Sequence, residues 1–111
     1  GVTLTESWNG TSWTEVNDLN SGRTSLTGSG TETSAIGAGG GPPGVATELW
    51  DGTSWSSDAD LNAARDLPGG AGTTNTAGYV FAGRTPGPNT ALNTTETFTK
   101  PAFTTKTITQ S

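Results

Sequence analysis

The chain has 111 residues, of which 23 are Thr, 17 Gly and 10 Ser, while apolar side chains make up only 29%. Thr, Ser and Gly are poor helix residues, so long amphipathic helices are excluded and short strands joined by Gly turns are expected. The absence of Cys and His removes disulfides, thiolate chemistry, His-ligated metal and the Ser-His-Asp triad, and a net charge of −5 with five scattered cations offers no basic track for nucleic acid. No apolar run approaches the ~20 residues of a membrane span, so membrane insertion is not expected. Four Trp in so short a chain argue for a folded core rather than disorder. Gly1 in place of Met reads as a processed or trimmed start.

In chain order, Thr3–Trp8 reads as a strand, followed across a tight Asn9-Gly10 turn by a second around Trp13. Asn-Gly between strand-like runs signals a hairpin, because Gly accepts positive φ and a primed turn matches strand twist. Ser25–Thr31 is a Gly-rich strand that follows Arg23, and Ser34–Gly39 is a strand of small and apolar residues ending in glycine. After a Pro/Gly loop come Ala46–Trp50, the Asp51-Gly52 turn and a strand around Trp55. Leu67–Thr73, Gly78–Gly83 and Thr94–Thr99 then repeat the small-residue and aromatic strands, and Phe98–Gln110 still reads as strand. Gly weakens a strand, so its recurrence in Ser25–Thr31 and Leu67–Thr73 implies crowding against another backbone.

The order repeats. Thr5-Glu6-Ser7-Trp8-Asn9-Gly10-Thr11-Ser12-Trp13 returns as Thr47-Glu48-Leu49-Trp50-Asp51-Gly52-Thr53-Ser54-Trp55, shifted by 42. The same shift carries Asp18-Leu19-Asn20 and Arg23 onto Asp60-Leu61-Asn62 and Arg65, and Gly28, Gly30, Thr31 and Ala35 onto Gly70, Gly72, Thr73 and Ala77. A third copy starts at Thr95-Glu96-Thr97-Phe98, where the shift grows to 48. The repeat units are approximately 5–46, 47–94 and a partial third at 95–111. A period of about 40–50 residues made of short strands is the signature of propeller blades.

Leu61-Asn62-Ala63-Ala64-Arg65, Gly70, Gly72 and Gly78-Tyr79-Val80-Phe81-Ala82-Gly83 resemble the first half of a kelch repeat, and Gly39-Gly40-Gly41 with Trp50 and Trp55 resembles the second half. Trp50 stands where kelch repeats usually have Tyr, and the glycine doublet of the second copy is Ala82-Gly83. The wording Glu-x-Trp-(Asn/Asp)-Gly-Thr-Ser-Trp is similar to a Thr/Gly-rich variety found in virion proteins of marine bacteriophages. The resemblance implies an all-β fold of four-stranded antiparallel blades, about two and a half per chain, in a virion or extracellular setting.

Each candidate site has two readings. Trp8 and Trp50 either stack on sugar rings or pack between blades, whereas Trp13 and Trp55 are expected as the repeated core. Arg23 and Arg65 either line a mouth that recognises anions or sugar acids, or bond loop carbonyls and the nearby Asp18 and Asp60. Glu6, Glu48 and Glu96 recur at one strand position, but copies on different blades would stand too far apart for paired-carboxylate hydrolysis, so structural hydrogen bonding is expected. Asp58-Ala59-Asp60 is too short of oxygen ligands to make a calcium loop. Asn9-Gly10-Thr11 and Asn93-Thr94-Thr95 match the glycosylation sequon formally and read as turn and strand-entry residues.

The expectation is a non-enzymatic structural or adhesive module with no cofactor and no metal, such as a tail-fibre, tail or capsid-decorating protein. The alternative is a lectin with equivalent glycan pockets between blades, facing a cell-surface glycan. Propellers close with roughly 4–8 blades. A chain of this length therefore joins other propeller segments or closes a ring as a homo-oligomer, with a trimer expected. In that ring the N-terminal strand pair would complete the blade begun near Leu67–Gly83 of a neighbour, leaving Phe98–Gln110 to find another partner.

Overall fold

The computed structural model describes residues 2–41, 44–86 and 90–99, together with the backbone of 102–107. All regular structure among them is β: β1 (Thr5–Trp8), β2 (Trp13–Val16), β3 (Thr27–Thr31), β4 (Ser34–Ala38), β5 (Thr47–Trp50), β6 (Trp55–Asp58), β7 (Gly69–Thr74), β8 (Ala77–Phe81), β9 (Thr94–Thr99) and β10 (Ala102–Thr107). Within each sheet consecutive strands pair antiparallel. They form a two-stranded N-terminal ribbon (β1-β2), a middle sheet (β3-β4-β5-β6) and a C-terminal sheet (β7-β8-β9-β10). The C-terminal sheet is thus completed within the chain. β9 pairs with β8 and β10, so the expectation that a neighbour's N-terminal strands complete it, with Phe98–Gln110 left over, is corrected.

The aromatic hairpins differ from the expected two-residue turn. Trp8 faces Trp13 and Trp50 faces Trp55, which leaves four-residue loops. The Asn9 Oδ1 atom accepts the N–H groups of Thr11 and Ser12 at 2.8 Å each. Asp51 Oδ1 does the same for Thr53 and Ser54 at 2.8 and 2.9 Å. A short side-chain acceptor at the first loop position replaces the missing backbone partners, and Gly10 and Gly52 supply the φ of 96° that follows.

The sheets have the same internal frame but not the same spacing. Ala35 faces Trp50 across β4-β5, whereas Gly78 faces Phe98 across β8-β9. Gly78, not Ala77, therefore occupies the place of Ala35, and the shift of 42 read from the sequence becomes 43. A bulge between Gly72 and Thr74 inserts the extra residue. The links between sheets repeat as well. Leu19 N–H bonds Thr3 O at 2.9 Å as Leu61 N–H bonds Val45 O at 2.8 Å, and Arg23 N–H bonds Val2 O as Arg65 N–H bonds Gly44 O.

Burial is concentrated where sheets meet. Ile36, Ala38, Leu49, Leu61, Val80 and Phe98 form one apolar cluster, and β5 is buried along its whole length. The Gly-rich strands β3 and β7 lie against each other as the composition implies. A Cβ on Gly70 would stand 2.5 Å from Thr27 Oγ1, so only glycine permits that approach.

Candidate functional site

One buried ion pair binds each four-stranded sheet to the link that precedes it. Glu48, on β5, accepts the Asn20 N–H at 2.6 Å and pairs with Arg23 at 2.7 Å. Glu96, on β9, accepts the N–H groups of Asn62 at 2.5 Å and Ala63 at 3.1 Å and pairs with Arg65 at 3.1 Å. Arg23 Nη1 donates to the carbonyls of Gly39 and Ala46, and Arg65 Nη1 to those of Ala82 and Thr94. Arg23 and Arg65 are buried, so neither is available to a ligand. The guanidinium groups bond backbone carbonyls, as the second reading has it, and their charged partners are the strand glutamates in place of Asp18 and Asp60. A guanidinium this far from water is costly unless acceptors surround it, and the repeating glutamate provides the charged one.

The two sockets differ by one hydroxyl. Thr94 Oγ1 takes Arg65 Nη2 at 2.6 Å and leaves Nε for Glu96. Ala46 stands at the matching place beside Arg23, so Nη2 turns to Glu48 and the buried Nε of Arg23 has no acceptor.

The doublet Gly39-Gly40 lies just behind the first socket. Gly40 has a φ of 94°, and a Cβ there would be 2.5 Å from Thr24 O. Backbone packing of this kind leaves no space for a ligand.

The tryptophans separate into unequal pairs. Trp50 and Trp55 face the N-terminal ribbon. Trp50 is 6% exposed and bonds Glu32 O at 2.9 Å, and the half-buried Trp55 bonds Thr5 Oγ1 at 3.2 Å. Trp8 and Trp13 occupy the equivalent places on the ribbon with the same 5.3 Å ring separation, yet they are 47% and 63% exposed. Trp13 is thus exposed where a repeated core residue is expected, and Trp50 is buried with its ring N–H bonded to the backbone. Two neighbours that Trp50 has are absent at Trp8: β4 lies beside Trp50 and the β3–β4 turn accepts its ring N–H, whereas β1 has no strand on its outer edge among the described residues.

A cleft of about 280 Å³ runs along the unpaired edge of β1, with Trp8, Glu6, Ser7, Glu32, Trp50 and Trp55 in its walls. The same place beside β5 is filled, because β4 pairs there. Glu6 occupies the position of Glu48 and Glu96, yet it is exposed and makes no hydrogen bond or ion pair among the described residues. Glu15 faces it across the ribbon, where the middle sheet has Ser57 opposite Glu48. Two like charges directly opposite are unfavourable until a cation joins them. Sequence reasoning placed Glu6 in a structural series but did not single it out, and the shared Thr-Glu-x-Trp wording was the signal available.

At the other end of the stack Tyr79 and Phe81 are exposed on the face of β8 opposite Gly78, whose missing Cβ would touch Ile36 of the middle sheet. Both outer faces of the stack thus present aromatic side chains. No metal-binding cluster of acidic side chains occurs among the described residues, and no described helix is long and apolar enough to cross a membrane. No protein-family model matches the chain, and a search of curated proteins gave no significant match.

Proposed function

We propose that this chain is a non-enzymatic structural module of propeller-type blades that assembles through its two open ends, in a virion or extracellular setting as the repeat resemblance implies. The observation that carries this reading is the pair of exposed aromatic end faces, Trp8 with Trp13 on the ribbon and Tyr79 with Phe81 on the C-terminal sheet. In the interior, Phe98 is buried in one cluster with Ile36 and Leu49 of the middle sheet, and Trp50 is buried as well. Soluble chains seldom leave such surfaces open unless a partner covers them.

The two faces differ from each other, so contact between copies is head to tail. Such a contact closes into a ring or extends as a filament. Light scattering across the micromolar range tests this directly. Assemblies larger than one chain are expected, and Trp13→Glu or Tyr79→Glu alone reduces them to monomers. Mixing the two variants restores dimers, because each retains the end that the other lacks. A folded monomer at every concentration overturns the reading.

A further inference from the structure

We propose that the cleft beside β1 is the seat of an added β-hairpin with the chemistry of the first half of this chain's own repeat, a Leu-Asn-x-x-Arg link followed by two short Gly/Ala-rich strands. The inference rests on the blade reading above and specifies its missing partner. Two occupied versions of the seat lie in the same molecule. β4 pairs with β5 while Arg23 pairs with Glu48, and β8 pairs with β9 while Arg65 pairs with Glu96. β1 has the same edge, the same glutamate and the same aromatic, and lacks only the occupant.

The occupied copies define what fits. Ala35 or Gly78 faces the aromatic, so the residue opposite Trp8 must be Ala or Gly to leave room for the indole. Ile36 or Tyr79 occupies the next position, and its counterpart opposite Ser7 would direct an apolar side chain into the cleft against the middle sheet. The link before the hairpin would bring an arginine and two backbone N–H groups to Glu6, as Asn20, Ser21 and Arg23 bring them to Glu48. Glu15 opposite Glu6 adds a second negative charge that favours a cationic link. A second copy does not offer this segment as it stands, because both of its Leu-Asn-x-x-Arg halves are engaged by their own glutamates. The occupant is therefore a further segment of the same kind, from outside the described residues.

The test appends a second copy of residues 17–43 ahead of Val2, which takes the place of Gly44, and compares the extended chain with the parent. Tryptophan emission should shift to the blue as Trp8 is covered, and the urea midpoint should rise. Glu6→Gln should cancel most of that rise in the extended chain and leave the parent unchanged. In trans, a synthetic peptide of the same sequence should bind the parent, and Glu6→Gln should weaken it by about tenfold or more, as expected when one partner of a buried charge pair is neutralised. An extended chain that matches the parent in emission and midpoint overturns the proposal. So does a peptide that fails to bind while a panel of oligosaccharides quenches tryptophan emission, which would make the cleft a sugar site. Light scattering on the parent separates the two readings: a parent chain that is monomeric at all concentrations, beside an extended chain that is stabilised, defeats end-to-end assembly and leaves the seat intact.

Discussion

The ribbon β1-β2 and the hairpin β5-β6 have almost the same sequence and the same local structure, yet they lead opposite lives. Both have the four-residue loop held by an Asn or Asp side chain, both cross a tryptophan pair at 5.3 Å, and both place a glutamate two residues before the first tryptophan. In β5-β6 that glutamate and Trp50 are buried, whereas in β1-β2 Glu6 and Trp8 face solvent. The difference lies in the neighbours and not in the hairpins. Residues that repeat in sequence take equivalent positions, but their energetic weight depends on whether a strand and a link arrive to cover them.

The largest effects should come from the ion-pair sockets. Replacing Glu96 or Arg65 with Ala leaves its partner as an uncompensated buried charge, which costs about 3–5 kcal/mol. Glu6→Ala removes the same residue type from the same strand position and should stay within about 0.5 kcal/mol, because nothing is stranded. Urea denaturation of the two glutamate variants decides it, and equal losses would break the comparison.

Trp50→Ala should cost about 3–5 kcal/mol, the usual penalty for deleting a buried large aromatic. Trp8→Ala should cost well under that, since about half of its surface already faces water. The gap should narrow when assembly covers the ribbon. If Trp8→Ala is as costly as Trp50→Ala in monomeric chain, the exposure of the ribbon is misassigned.

A smaller effect sharpens the comparison between the two sockets. Ala46→Thr places a hydroxyl where Thr94 has one, so Nη2 of Arg23 gains an acceptor and Nε is released toward Glu48. One satisfied hydrogen bond in that site should stabilise the chain by about 1 kcal/mol. A loss of stability would mean that the threonine methyl group does not fit beside β4.

The smallest effect is a pH dependence confined to one hairpin loop. Hydrogen bonds from the Ser54 and Thr53 N–H groups hold the Asp51 carboxyl below its ordinary value. A depressed folded pKa means stability that is present above the unfolded pKa and is lost as pH falls through the folded one, below about pH 4. Asn9 occupies the same place in the ribbon and does not titrate. Asp51→Asn should therefore flatten part of the acid limb of the stability profile while leaving the neutral region unchanged, as read by thermal melts between neutral and strongly acidic buffers. An unchanged acid limb would show that the loop does not contribute.

Much of the fold was legible in the chain itself. The small and apolar run Ser34–Gly39, glycines at strand ends and Asn-Gly or Asp-Gly between aromatic runs are local signals, and the strands before β10 lie within a residue or two of where they point. The turn type was not legible, because Asn9 and Asp51 use their side chains to span four residues instead of a two-residue primed turn. Nor was the bulge at Gly72–Thr74, which moves Gly78 into the place of Ala35 against the better sequence match with Ala77. Pairing Arg65 with Glu96 joins residues 31 apart in sequence, and nothing local distinguishes Glu96 from Asp60 as its partner.

Sequence by itself therefore determined the strand inventory, the repeated roles and the residue types at each site, since these depend on backbone preference and side-chain period. Tertiary structure alone decided which copies of those residues are buried. Burial depends on the strand and link that arrive beside the hairpin, and one motif met them at Glu48 and Trp50 while its twin at Glu6 and Trp8 did not.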